Sequence, residues 1–240
     1  MTRAAGAPSP TPTTAPVLEL DGVHVSFDGR PVLVDVTARL AERRIGVIGE
    51  NGSGKSTFAR LLNGLVRPAA GRVRVDGLDT VEHAREVRAK VGFVFQNPDN
   101  QIVFPIVAED LAFGLKNLGV PKSTIPGRVA DALAEFDIGH LADRQSHLLS
   151  GGEKQLVALA AVMVMRPDVV VFDEPTTLLD LKNRNRIRDA IARMPQSAVV
   201  VTHDLDLLDG FDRVLVVHQG RIARDGDPAD AVAWYREHCS

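Results

Sequence analysis

The chain has 240 residues, a net charge of −3 and 25% charged residues. That length suits one or two domains with a sizeable buried core, and the balanced charge leaves no footprint for nucleic acid. A single cysteine, Cys239, excludes an internal disulfide framework, and the longest apolar run, about ten residues, is too short to cross a bilayer.

Residues 1–16 are rich in Ala, Pro, Thr and Ser and read as a disordered tail, neither signal peptide nor anchor. Val17–Leu20 and Val23–Phe27 predict two short strands around an Asp21-Gly22 turn. The apolar run Ile45–Ile48 leads into Gly49-Glu50-Asn51-Gly52-Ser53-Gly54-Lys55-Ser56-Thr57, and a helical stretch, Phe58–Leu65, follows. Strand, glycine-rich loop and helix in that order define a phosphate-binding P-loop. The glycines let backbone N–H groups close on a polyphosphate, and the helix start adds partial positive charge. Lys55 suits the β/γ oxygens and the Ser56 hydroxyl suits Mg²⁺. The alternative is a Gly-rich turn that happens to contain Lys.

Arg72–Asp76 reads as a strand, giving an antiparallel lobe near the P-loop. Ala84–Lys90 reads as a helix feeding the strand Gly92–Phe95. Gln96 follows that strand, where its amide oxygen can coordinate Mg²⁺. Ile106–Leu118, Arg128–Phe136 and Gly152–Met165 carry apolar residues at helical spacing, which predicts an inserted helical unit. Ser150 and Glu153 form an S-x-x-E capping box, so a helix starts there, and its free N–H groups beside Gly151 and Gly152 make a second anion site; taken alone, the alternative is a well-capped structural helix.

Val169–Phe172 reads as a buried parallel strand, with Asp173 and Glu174 at its carboxyl end, where α/β sheets place ligands. Alternation would send the two carboxylates to opposite faces, one for Mg²⁺ and one for an attacking water. The alternative is an acidic helix cap. Strands at Ala198–Thr202 and Val214–His218, separated by helical stretches, argue for a parallel sheet. His203 stands at a strand end, where an imidazole can hydrogen-bond a terminal phosphate. No Cys/His spacing of zinc type occurs, so no structural metal is expected.

Leu149-Ser150-Gly151-Gly152-Glu153-Lys154-Gln155 resembles the signature of ATP-binding cassette (ABC) proteins. Together with the P-loop and Val169–Pro175, it extends that resemblance from about Val17 to Pro228. The resemblance implies a P-loop NTPase (RecA-like) α/β core with an antiparallel β subdomain and an inserted α-helical subdomain at about 97–165. These lie within one ATPase domain over 17–230, followed by a C-terminal tail, 231–240. It makes Phe27 the adenine-stacking aromatic, with a core Phe of a strand as the alternative, Gln96 the Q-loop glutamine and Asp173 the magnesium partner. Glu174 becomes the general base, His203 the switch histidine and Asp180 the D-loop acid. Phe27 stands where Tyr is commoner, Glu153 where Gln is usual and Leu156 where Arg is common. It further implies head-to-tail pairing of two cassettes, with Ser150, Gly151 and Gly152 of one copy capping ATP in the other.

The segment Phe95–Gly119 is similar to the ATPases of energy-coupling factor transporters, and the matches around the P-loop and the signature are nearest the biotin-uptake ATPases. That implies a peripheral subunit on the cytoplasmic face of the membrane, working with a transmembrane subunit and a small-molecule-binding membrane subunit. A cobalt/nickel or other vitamin ATPase, or a soluble ATPase of iron–sulfur cluster assembly, remains open. So does homodimer against paralogue pairing. The resemblance also predicts that the polar turn Asp99–Gln101 and the helix after it face the membrane subunit.

Overall fold

The computed structural model describes residues 15–177 and 179–239. Nearly all of the expected N-terminal tail, and Leu178 of the loop before Asp180, lie outside the described residues. The chain opens with β1 (Leu18–Phe27), β2 (Arg30–Leu40) and β3 (Arg44–Ile48). It continues through α1 (Lys55–Leu62), β4 (Ala70–Val75), β5 (Leu78–Asp79), α2 (Ala84–Lys90) and β6 (Val91–Val94). Three helices follow, α3 (Val107–Asn117), α4 (Ile125–Glu135) and α5 (Gly151–Met163). The last part holds β7 (Val169–Asp173), α6 (Leu181–Arg193), β8 (Ser197–Val201), β9 (Arg213–His218), β10 (Arg221–Gly226) and α7 (Pro228–His238).

Two sheets form. The smaller is antiparallel, in the order β2-β1-β4-β5. The larger runs β10-β9-β3-β8-β7-β6. Its neighbours β9 to β6 are parallel, and β10 is an antiparallel edge. The α/β core, β subdomain and helical insertion therefore match the expected fold class.

Asp21-Gly22 does not turn the chain. Leu20 pairs with Ala38 and Val23 with Val36 of the same strand, with a register shift between them. The extra residue is a bulge within β1, with Gly22 at φ 55°. It resets the pleat, so that Leu20, Val23 and Val25 all stay buried. The hairpin turn is Asp28-Gly29, with both residues at positive φ, 49° and 75°; a two-residue primed turn requires that.

Strands β3, β7 and β8 are buried along their whole length, as parallel strands covered on both faces should be. Val170 and Phe172 join the core formed by α3, α4, α5 and α6. Val169 and Val171 face the opposite core, beneath α1 and the β subdomain. The C-terminal segment expected as a tail is instead the helix α7. Asp227 accepts from the N–H groups of Ala229 and Asp230, and Pro228 sits in its first turn. The helix packs Ala231, Val232, Trp234 and Tyr235 against Val214 and Val216 of β9, so burial holds it on the sheet.

Candidate nucleotide site

The carboxyl ends of β3, β7 and β8 converge, because these strands are parallel neighbours. Beyond β3 lies Gly49–Gly54. A Cβ on Gly49 would collide with the Val217 carbonyl, and one on Gly54 would sit 2.7 Å from the Leu33 side chain. Both residues have positive φ, so only glycine fits these two places. Gly54 is also the N-cap of α1 and offers no side-chain cap. The helix start is left with N–H groups that a polyphosphate can accept from. Ser53 Oγ is buried without a hydrogen-bond partner. A cradle of this kind fits phosphate oxygens.

Lys55 is 6% exposed. Its ammonium donates to the carbonyls of Gly49, 2.9 Å, and Glu50, 2.8 Å. Burial pushes its pKa down, while the nearby charges of Glu174, Asp173 and Glu50 pull it back up. The Ser56 hydroxyl donates to Asp173 Oδ1 at 2.7 Å, and Arg60 Nη2 reaches Oδ2 at 3.3 Å. Asp173 is 1% exposed. An oxygen-only pair beside a phosphate cradle matches the donor chemistry of Mg²⁺.

Simple strand alternation does not separate the two carboxylates. β7 ends at Asp173, and Glu174 stands at φ 54°, the left-handed region. Its N–H donates to the Val201 carbonyl at 2.9 Å, which fixes the turn across to β8. Glu174 Oε2 lies 2.6 Å from His203 Nδ1 and accepts from the His203 N–H at 3.3 Å and the Thr177 hydroxyl at 3.4 Å. With the carboxylate ionised, Nδ1 carries a proton and Nε2 remains for another partner.

Gln96 is exposed two residues beyond β6. No hydrogen bond among the described residues joins it to Ser56 or Asp173. Phe27, at the end of β1, is 50% exposed; it is a free aromatic face and not a core residue. Asp180 caps α6, accepting from the Asn183 N–H at 2.8 Å.

Ser150 and Glu153 form the expected capping box at the start of α5. The Ser150 N–H and hydroxyl both donate to Glu153 Oε2, at 2.8 and 2.7 Å. Those two bonds, the hydroxyl first, hold the Glu153 carboxyl below the usual carboxylate range. A Ser150→Ala chain is expected to lose about 1 kcal/mol of stability, or roughly 2–4 °C in Tm at this size. A depressed carboxylate pKa contributes stability above the ordinary carboxylate range and loses it as pH falls through the lowered value. Thermal melts should therefore show the gap between variant and wild type closing in acid. No hydrogen bond among the described residues joins Ser150–Gly152 to the P-loop.

The polar turn departs from expectation at one residue. The Gln101 side chain accepts from the Phe95 N–H, 3.2 Å, and donates to the Ala158 carbonyl, 2.7 Å. It is an internal strut between the end of β6 and α5. Asp99 remains outside, paired with Lys154 at 2.6 Å. Sequence reasoning also missed Arg60 on Asp173 and Thr177 on Glu174, contacts that only the fold creates.

A glycine cradle beneath a lysine, a hydroxyl on one carboxylate and an imidazole on the next describe a nucleotide-hydrolysing site. Residues 35–177 match the ABC transporter family. The chain is 51% identical over 92% of its length to the biotin transport ATP-binding protein BioM of Rhizobium etli, covering 98% of that protein. It is 45% identical over 90% of its length to the energy-coupling factor transporter ATP-binding protein EcfA1 of Symbiobacterium thermophilum, covering 76% of it. The structure of CbiO1 from Clostridium perfringens, described as part of the ABC transporter complex CbiONQ, superposes with a TM-score of 0.79. Identity there is 33%, and 90% of each chain is covered. The chain belongs to the ABC transporter family, as an ATP-binding protein.

Proposed function

We propose that this chain is the ATP-hydrolysing subunit of an energy-coupling factor importer that takes up biotin. The supporting observation is the convergence of the P-loop, Asp173, Glu174 and His203 at the carboxyl ends of the central parallel strands β3, β7 and β8. The names of two close relatives point to energy coupling and to biotin. Lys55 and the N–H groups at the start of α1 bind the phosphates, with Glu50, Asn51, Gly52, Ser53 and Thr57 completing the loop. Phe27 stacks on adenine. Ser56 and Asp173 hold Mg²⁺, with Gln96 as a third oxygen donor; the ion supplies charge neutralisation on the phosphates. Glu174 takes the proton of the attacking water. His203 hydrogen-bonds the terminal phosphate.

Ser150, Gly151 and Gly152 act on the nucleotide of a second cassette, aided by Asp180 near the seam. Exposed Leu148 and Leu181 flank these two elements in sequence and give the seam apolar surface. ATP favours the closed pair because it contacts both copies there, and hydrolysis removes that preference.

No helix among the described residues is long and apolar enough to cross a membrane, so the membrane path belongs to partner subunits. Val103, Phe113 and Leu118 are 74%, 42% and 43% exposed on the helical insertion. These exposed apolar side chains beyond Gln96 dock the transmembrane subunit. A Val103→Asp, Phe113→Asp double variant is expected to bind ATP normally as an isolated chain. Its recovery with the membrane subunits, and uptake of labelled biotin by cells, should fall at least about tenfold, equivalent to about 1.4 kcal/mol of docking free energy. Normal recovery and uptake would refute the docking face, and uptake of another substrate by the same complex would refute biotin.

A further inference from the structure

Glu50, His218 and Cys239 come from three separate segments: the P-loop, the end of β9 and the residue after α7. Their ligand atoms all lie within 4.8 Å of one another. His218 Nδ1 is 3.4 Å from Glu50 Oε2 and 3.5 Å from Cys239 Sγ. Zinc takes nitrogen, oxygen and sulfur ligands at about 2.0–2.3 Å in a tetrahedron, which spaces N and O by about 3.4 Å and N and S by about 3.6 Å. Two edges of the cluster already have those lengths. The third closes by rotation of the Glu50 side chain, which is half exposed.

β3 and β9 are parallel neighbours with Ile48 beside Val216, so the chain just past β3 brings Glu50 to His218 at the end of β9. The Glu50 carbonyl is held by Lys55 and by the Ser53 N–H, which leaves its carboxylate free of the phosphate cradle. Cys239 ends α7, with its N–H on the Tyr235 carbonyl at 2.9 Å. The Trp234 ring meets His218 edge-on, centroids 6.0 Å apart, and walls one side.

We propose that Glu50, His218 and Cys239 form a site for a divalent transition-metal ion, zinc by ligand type, that fastens α7 to the P-loop. Imidazole, thiolate and carboxylate are the three donor classes zinc uses, and a fourth position stays open to water. Binding releases the thiol proton to solvent. The Mg²⁺ pair, Ser56 and Asp173, is a different set of residues with oxygen donors only.

The test uses the full chain, stripped with chelator and titrated with zinc chloride in excess MgCl₂. One zinc per chain is expected, at micromolar affinity or tighter. Cobalt in its place should give a thiolate-to-metal charge-transfer band. Cys239→Ala should weaken zinc binding at least about tenfold, or about 1.4 kcal/mol, and erase the band while ATP binding persists. His218→Gln should weaken zinc in the same way. Absence of stoichiometric zinc on the wild-type chain overturns the site. So does equal affinity in Cys239→Ala, or a cobalt spectrum without the thiolate band.

Discussion

A Glu174→Gln chain is expected to bind Mg²⁺–ATP like wild type and to hydrolyse it roughly 10²–10⁴-fold more slowly, the usual contribution of a positioned general base. The substitution keeps the side-chain shape, so the left-handed backbone at 174 and its tie to Val201 survive. What it removes is the basic oxygen that now accepts from His203 and Thr177. Phosphate release under single-turnover conditions reads the chemical step directly. With hydrolysis blocked, ATP should hold the two cassettes together, visible as a dimer by size-exclusion chromatography. Wild-type turnover in this variant would move the base elsewhere, and His203 would be the next residue to replace.

The second large effect is on binding. Lys55→Ala should weaken ATP at least about tenfold to a hundredfold, the 1.5–3 kcal/mol of a charge-assisted hydrogen bond. Two losses combine. The ammonium is the buried cation of the loop, and its bonds to the Gly49 and Glu50 carbonyls also pin the loop in its curved form. A fluorescent ATP analogue separates the outcomes: unchanged affinity would mean that the phosphates sit elsewhere.

The parts of the site that the sequence made legible are those whose chemistry is local. A P-loop declares itself in nine consecutive residues, because its glycines, its lysine and the following helix are one contiguous device. The Ser150–Glu153 box is likewise complete within four residues and formed as expected. Asp173 and Glu174 were legible as a pair. The means of their divergence was not, because alternation assumes that the strand continues, and it stops at Asp173.

Contacts between distant segments stayed hidden. Gln101 looked like a surface amide because nothing near it in sequence shows that Phe95 and Ala158 will flank it. Two signals were present but went unread. Asp28-Gly29 is the stronger hairpin turn, since both of its residues tolerate positive φ. Asp227-Pro228 is a helix start, and it announces α7. Asp21-Gly22 misled because a bulge and a turn use the same residues, and only pairing with β2 distinguishes them.

The position of β3 has a consequence for how the protein is made. This strand carries the P-loop, yet its neighbours in the sheet are β8 and β9, with Arg44 beside Ala198 and Ile45 beside Arg213. At about 5–20 residues per second, both neighbours leave the ribosome roughly 10–30 s after β3 does. Throughout that interval Ile45, Val47 and Ile48 have no sheet on either edge, and the loop has no scaffold to bend against. The nucleotide site therefore cannot be assembled by halves. Until both neighbours emerge, β3 is an unpaired apolar strand of the kind that invites aggregation, and ATP can first stabilise the protein only once β8 and β9 have emerged.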